Sequence, residues 1–409
     1  MNKNLNSILC YSYNPGCCHA GLPSEITDSV QKEVIEGNYS TLIDGVHDAF
    51  TAAVDEVLSE IGSDKKHIVP LSSGLDSRAI LAILLNHPQI DSSEVQTVSF
   101  GSPGTWDYEI GQQVATVAGV SNTAIDLTKE SFDWSHESIQ QYASQQEIPT
   151  RVLDGYINSK ILNIVQEDQI VWSGYLGDPS AGDHQPQSPR KDWNSACDHF
   201  VEHEKFCQEL THPDFDPRSI LPDKPFLSRE YLSLEEQLDF ALRQQCLISP
   251  IVNQSERHVT PFLQPSWLKF SLNLPSEYRQ DRILFKKSFM NHFPKLFSLP
   301  TDANSGLPLS VKKGRKWIRN KRLGLNQRLS SLFKTDYIHP GTNYINFPTE
   351  FRIDSELRDT MYLLLSNFAD RDIADWIDPH QIWEEHQNGQ DRSNAIRVIT
   401  SLELHAGDI

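Results

Sequence analysis

Pro70-Leu71-Ser72-Ser73-Gly74-Leu75-Asp76-Ser77-Arg78 is the stretch that decides the fold. The apolar run Ile68-Val69-Pro70-Leu71 leads into it and reads as a buried strand, and 77–85 reads as the helix that follows. A Ser/Gly loop between a strand and a helix N-terminus presents backbone N–H groups and hydroxyls to an anion. Gly74 permits close backbone approach. An Asp within such a loop calls for a cation to join it to the anion. Mg²⁺ suits, because few carboxylates plus phosphates hold it. The loop therefore matches Mg²⁺-pyrophosphate. The competing reading is an ordinary capped turn, with Asp76 and Ser77 stabilising the helix start.

Working outward, Ile43, Val46, Phe50, Val54 and Leu58 recur at helical spacing, with Ser40 as the expected N-cap. Downstream, 95–100 predicts a strand, 107–118 a helix closed by Gly119, 123–127 a strand, 153–165 a helix and 169–172 a strand ending at Ser173-Gly174. This alternation predicts an α/β fold, a parallel sheet with helices on both faces and ligands beyond its strand carboxyl ends. Past about residue 190 the strand signals stop. Helical patterns over 234–249, 266–274, 281–293, 356–368 and 394–405 predict a mainly helical lobe, with 211–228 and 299–310 as Pro-rich loops. The expected division is an N-terminal arm (1–44), a core (45–190) and a substrate lobe (191–409).

Composition narrows the classes. The 409 residues carry a net charge of −19, which argues against a nucleic-acid or anionic-lipid partner. The longest apolar stretch is 79–85, far short of the roughly 20 residues of a membrane span. Six cysteines are too sparse for a disulfide scaffold, and no export signal is visible, so a reducing, cytoplasmic setting is expected. Cys10, Cys17, Cys18 and His19 do not complete a metal-ligand set of familiar spacing and read as an irregular arm with free thiols. The 15 histidines read as scattered, and His386 as a surface or core residue.

A second glycine-bearing strand end, Ser173-Gly174-Tyr175-Leu176-Gly177-Asp178 with Gly182, accompanies the first. Together they resemble the pyrophosphate-loop (PP-loop) ATP pyrophosphatase superfamily, whose loop is SGGxDS, with Ser73 here in place of the first Gly. Within it the chain is most similar to the synthetase domain of asparagine synthetases, beta-lactam synthetases and lasso-peptide cyclases. Thr97-Val98-Ser99-Phe100-Gly101 with Asp107, Thr260-Pro261-Phe262-Leu263 with Leu274-Pro275, and Trp383-Glu384-Glu385-His386 with Gly389 support the likeness. The resemblance implies a five-stranded PP-loop sheet and ATP and Mg²⁺ as cofactors. By position, backbone at Leu71, Phe100 and Gly174 frames adenine and ribose, and Ser72, Ser73, Gly74, Ser77 and Ser173 line the phosphate and nucleotide site. Asp76 and Asp178 hold Mg²⁺. The implied reaction adenylates a carboxylate, small molecule or peptide, and lets an amine displace AMP.

Three departures qualify the likeness. Full asparagine synthetases begin with a glutaminase whose nucleophilic Cys stands at position 2; Asn2 stands here. Ammonia is then expected from solution or from a separate glutaminase, or the amine from the substrate itself. Tyr175 stands where asparagine synthetases have Glu and beta-lactam synthetases have a catalytic Tyr; it is either a base partnered by Glu202, Glu204 or Glu209, or a packing residue. The family's late pyrophosphate Lys belongs near 302–306, where no Lys stands, so either its role is lost or Lys312 or Lys313 has taken it. They open the run 312–322, in which seven of eleven residues are cationic, alternatively a solvated face. The expected activity is an AMP-forming carbon–nitrogen ligase. The alternatives are a non-catalytic nucleotide-binding PP-loop protein and an intramolecular cyclase of the beta-lactam synthetase or lasso-cyclase type.

Overall fold

The computed structural model describes every residue except 1, 17–20, 32–33, 63–64, 130–131, 163–167, 334–336 and 406–409. A five-stranded, all-parallel sheet forms the centre, in the order β3-β2-β1-β4-β5. Its strands are β1 (Lys66–Pro70), β2 (Val95–Gly101), β3 (Ser121–Asp126), β4 (Gln169–Trp172) and β5 (His258–Val259). The predicted parallel α/β sheet is present. The fifth strand, however, comes from beyond residue 190, where no strand was expected. At two residues it is too short to carry a pattern, and its pairing with Val171 and Trp172 creates it.

Successive residues of β1 point to opposite faces. Val69 packs into a core that also contains Trp172, Phe50 and Leu84, while Ile68 packs with Val98 and Val171 into a second core. Helix α1 (Lys3–Tyr11) joins the second core through Leu5, Ile8 and Leu9, so this part of the arm is a buried helix rather than irregular chain. Asn2 caps it, accepting from the Leu5 N–H at 3.2 Å. Helix α2 (Tyr39–Ile61) covers the first core with Leu42, Val46, Phe50, Val54 and Val57. Its cap is Asn38, which accepts from the Thr41 N–H at 3.0 Å, two residues before the expected Ser40. Cys17, Cys18 and His19 lie outside the described residues. Cys10, Cys197 and Cys207 are buried free thiols, and Cys246 is disulfide-bonded. His386 is fully buried, with its pKa lowered to about 4 by burial and by Arg352.

Helix α3 (Asp76–Asn86) follows β1, and α4 (Trp106–Ala118) follows β2, ending at Gly119 with φ +75°. Helix α4 passes close over the end of β1 because Gly111 has no side chain: a Cβ there would strike the Leu71 carbonyl oxygen. Arg78, fully buried, ties the β1 loop to the later chain, donating to carbonyls of Ser73 (3.2 Å), Leu296 (3.1 Å) and Pro300 (2.8 Å). Among the described residues no helix is long and apolar enough to cross a membrane.

The close crossing generates a stability expectation. Gly111→Ala overpacks the α4–β1 contact and should destabilise by about 1–3 kcal/mol. A lowered thermal midpoint with unchanged far-ultraviolet circular dichroism would show this; an unchanged midpoint would refute it.

Candidate active site at the carboxyl ends of the strands

Strand order places β1 and β4 side by side, while the strands that follow them, β2 and β5, lie on opposite sides of the pair. Such a reversal opens a crevice at the strand carboxyl ends. A cavity of about 410 Å³ lies there. Ser72, Gly74, Asp76, Ser77, Phe100, Ser173, Gly174, Tyr175 and Asp178 all line it, nine of the positions singled out from sequence. Leu71 and Ser73 sit behind the wall. The Leu71 N–H donates to Val98 in the sheet at 2.7 Å. Ser73 donates to Asp107 through its hydroxyl (2.7 Å) and its N–H (3.1 Å). The departure from SGGxDS is thus satisfied inside the protein, by a carboxylate of the cavity wall.

The rest of the loop is internally braced. The Gly74 N–H donates to Ser72 Oγ at 3.1 Å, and the Ser72 N–H lies 3.4 Å from Ser77 Oγ. Across from it, helix α5 (Gly177–Ala181) follows β4 and carries Asp178. Gly177 lets the two loops meet, since a Cβ there would collide with the Asp76 carboxyl group. Asp76 and Asp178 are therefore neighbours, as expected.

What joins them was not expected. Arg282, with 4% of its side chain exposed, bonds Asp178 and lies 3.2 Å from Asp76 and 3.3 Å from Asp183. It sits at φ +54°, after Asp281 at +53°, just before helix α6 (Ile283–His292). Asp302, also on the cavity wall, has its pKa raised by burial and then by Asp107 and Asp178. Burial, and after it the charge of Asp178, raises the pKa of Asp76. Burial likewise opposes ionisation of Asp178, but Arg282, the hydrogen bond to Asp76, His184 and Lys286 together outweigh it and lower the pKa. Four carboxylates, Asp76, Asp107, Asp178 and Asp302, thus face one cavity. Asp76 and Asp178, hard oxygen donors brought into contact by a missing Cβ, fit Mg²⁺.

Lys312 and Lys313 are exposed and do not line the cavity. Helix α7 (Lys313–Phe333) instead turns Lys316 inward, where its ammonium donates to the Ala303 carbonyl at 2.8 Å. Lys286, on α6, is the lysine whose charge acts on Asp178; burial, and next Arg282, lower its pKa. Tyr175 is buried, donates to the Gln244 carbonyl at 3.0 Å, and has its pKa raised by burial. None of Glu202, Glu204 and Glu209 partners it; the acid whose charge acts on it most is Asp239. Asp239 lies 2.8 Å from His184 and 3.6 Å from Arg243. Tyr344 was also missed. It stacks on Phe100 with ring centres 5.9 Å apart and planes 10° from parallel, on the cavity wall.

Residues 45–197 match the family model of asparagine synthase. The chain carries an asparagine synthase domain. No curated protein matches the chain significantly. The synthase domain contains both glycine-bearing strand ends, whereas Arg282, Lys286, Asp302 and Tyr344 lie beyond the matched residues.

The charge arrangement makes an expectation testable without turnover. Arg282→Met leaves the part-exposed carboxylates of Asp76 and Asp178 without their cation and should lower the thermal midpoint. Millimolar Mg²⁺ should then raise the thermal midpoint of Arg282→Met more than that of the wild type, because the ion replaces the missing charge. Mg²⁺ affinity should also rise with pH, since Asp76 holds its proton above the ordinary carboxylate range and must release it to bind. Equal Mg²⁺ responses of the two proteins would exclude the Asp76–Asp178 site.

Proposed function

We propose that the protein is an ATP-dependent, AMP-forming amide ligase that adenylates a carboxylate and passes the acyl group to an amine. One observation carries this reading: Asp76 and Asp178 stand together at the ends of adjacent parallel strands, within a cavity that also holds the hydroxyls of Ser72 and Ser77. The asparagine synthase domain supports the coarser assignment to an ATP-using, amide-forming synthetase family.

In this reading the aromatic pair Phe100–Tyr344 accepts the adenine, and the Ser72–Ser77 loop accepts the phosphates through hydroxyls and the helix N-terminus. Asp76 and Asp178 would hold Mg²⁺, which would neutralise charge on the leaving pyrophosphate. The substrate carboxylate attacks the α-phosphorus and pyrophosphate departs. Arg282, buried, and Lys286, half-buried, supply the positive charge assigned from sequence to Lys312 or Lys313, because both act on Asp178, as His184 also does. The amine then attacks the acyl carbon, and AMP leaves. His184, its pKa raised by Asp239 against the opposing effect of burial, is better disposed than Tyr175 to take the amine proton. Tyr175 already donates its proton to a carbonyl. The amine is free ammonia, ammonia from a partner, or an amine of the substrate.

Asp76→Asn should abolish carboxylate-dependent ATP–pyrophosphate exchange while leaving the fold intact. Lys286→Ala should lower kcat by about 10²–10³. The double variant Lys312→Ala/Lys313→Ala should keep the wild-type kcat and KM. Loss of exchange in that double variant, with Lys286→Ala unaffected, would return the role to the basic run.

A further inference from the structure

A second cavity, of about 350 Å³, adjoins the first and shares His184 and Arg243 with it. Its wall carries His199, His203, Glu204, Glu235 and Asp239. Helix α8 (Trp193–Glu204) places His199, Glu202 and His203 on one face, since residues three and four apart are neighbours on a helix. One ligand atom of each lies within 4.8 Å of the others. The expectation of scattered histidines with no HxxxH pair is corrected here, since His199 and His203 are such a pair.

Three further features favour a metal ion. The Nδ1 atom of His203 is 2.9 Å from the His199 carbonyl oxygen, which fixes Nδ1 as donor and leaves Nε2 free to coordinate. The ring centres of His199 and His203 lie 3.8 Å apart, close enough for both imidazoles to serve one ion. Glu235, only 9% exposed, faces the same cavity with one oxygen held by Arg190 at 3.1 Å and the other, Oε2, buried without a hydrogen-bond partner. Four carboxylates, Glu202, Glu204, Glu235 and Asp239, outnumber the guanidinium groups of Arg190 and Arg243. Small side-chain rotations bring the three ligand atoms to the separation of about 3.3 Å that bonds of ~2.0–2.1 Å give in a tetrahedron.

We propose that His199, Glu202 and His203 bind a divalent transition-metal ion of the zinc type, with a coordination position open toward Glu235 and the second cavity. Imidazole selects such ions over Mg²⁺, so this site is distinct from the Asp76–Asp178 pair. Two imidazoles and one carboxylate with an open position is a pattern that catalytic zinc sites use. The test is Zn²⁺ stoichiometry by elemental analysis after equilibrium dialysis, with Mg²⁺ saturating to occupy the other pair. The His199→Gln/His203→Gln protein should bind one Zn²⁺ fewer per chain than the wild type, with unchanged circular dichroism. Co²⁺ should give the wild type a visible absorption band that the variant lacks. Glu202→Gln should weaken binding while leaving the fold untouched. Equal Zn²⁺ content in wild type and double variant, or a Co²⁺ band that survives it, would overturn the proposal.

Discussion

The crowding of carboxylates around Arg282 is the constraint on which the rest of the structure depends. Asp76, Asp178 and Asp183 converge on one guanidinium that is almost fully buried. Removing such charges from water costs several kcal/mol each unless they are paired and hydrogen-bonded. The chain meets this with backbone as well as charge. Gly177 omits the Cβ that would separate Asp76 from Asp178, and Asp281 and Arg282 adopt left-handed backbone angles that aim the guanidinium inward. That a non-glycine pair holds such angles is a local strain that surrounding structure must offset. Strain of this kind, kept at a crevice between parallel strands, coincides with the place where this fold class binds ligands.

Arg282 also couples regions distant in sequence. The carboxylates follow β1 and β4, while Arg282 comes from the segment before α6. Arg78 makes a parallel tie, from the same loop to the carbonyls of Leu296 and Pro300. The hairpin that follows brings Asp302 to the cavity, and Lys316 reaches back to its neighbour Ala303. Loop, second strand end and helical region are thus fastened by two buried arginines. The strand ends that line the cavity and the helical region are consequently one unit, and β5 extends that continuity into the sheet itself.

This explains how much was legible beforehand. The loop 72–77 and the segment 173–178 were readable because their function resides in backbone: a strand end, small residues, a helix start. Local sequence encodes all three. Arg282, Asp302 and Tyr344 were not, because nothing near them in sequence marks them; tertiary packing alone brings Asp302 and Tyr344 to the cavity and Arg282 to its carboxylates. The basic run shows a different failure. Its charge was plain, but which face of α7 turns inward depends on how the helix docks. The residue that reaches in is Lys316, while Lys312 and Lys313 stay in water. Strand β5, at two residues, offers no period to read. The arm around Leu5, Ile8 and Leu9 was read as irregular because three apolar residues among asparagines signal weakly until a core covers them.

The two departures from the family pattern that pointed to a binding-only protein weigh less once their surroundings are known. Ser73 replaces a glycine, yet its hydroxyl and N–H both bond Asp107, so the loop keeps its shape and the cavity gains no obstruction. The lysine missing near 302–306 leaves an acid, Asp302, in its neighbourhood, but two other cations act on Asp178 from α6 and the residue before it. A site built only to hold nucleotide has no need to keep Arg282 buried between carboxylates that a divalent ion would also claim. In the proposed reaction such a guanidinium would exchange carboxylate partners for phosphate oxygens without leaving its place. The buried ion network therefore favours the catalytic reading over the binding-only one on electrostatic grounds.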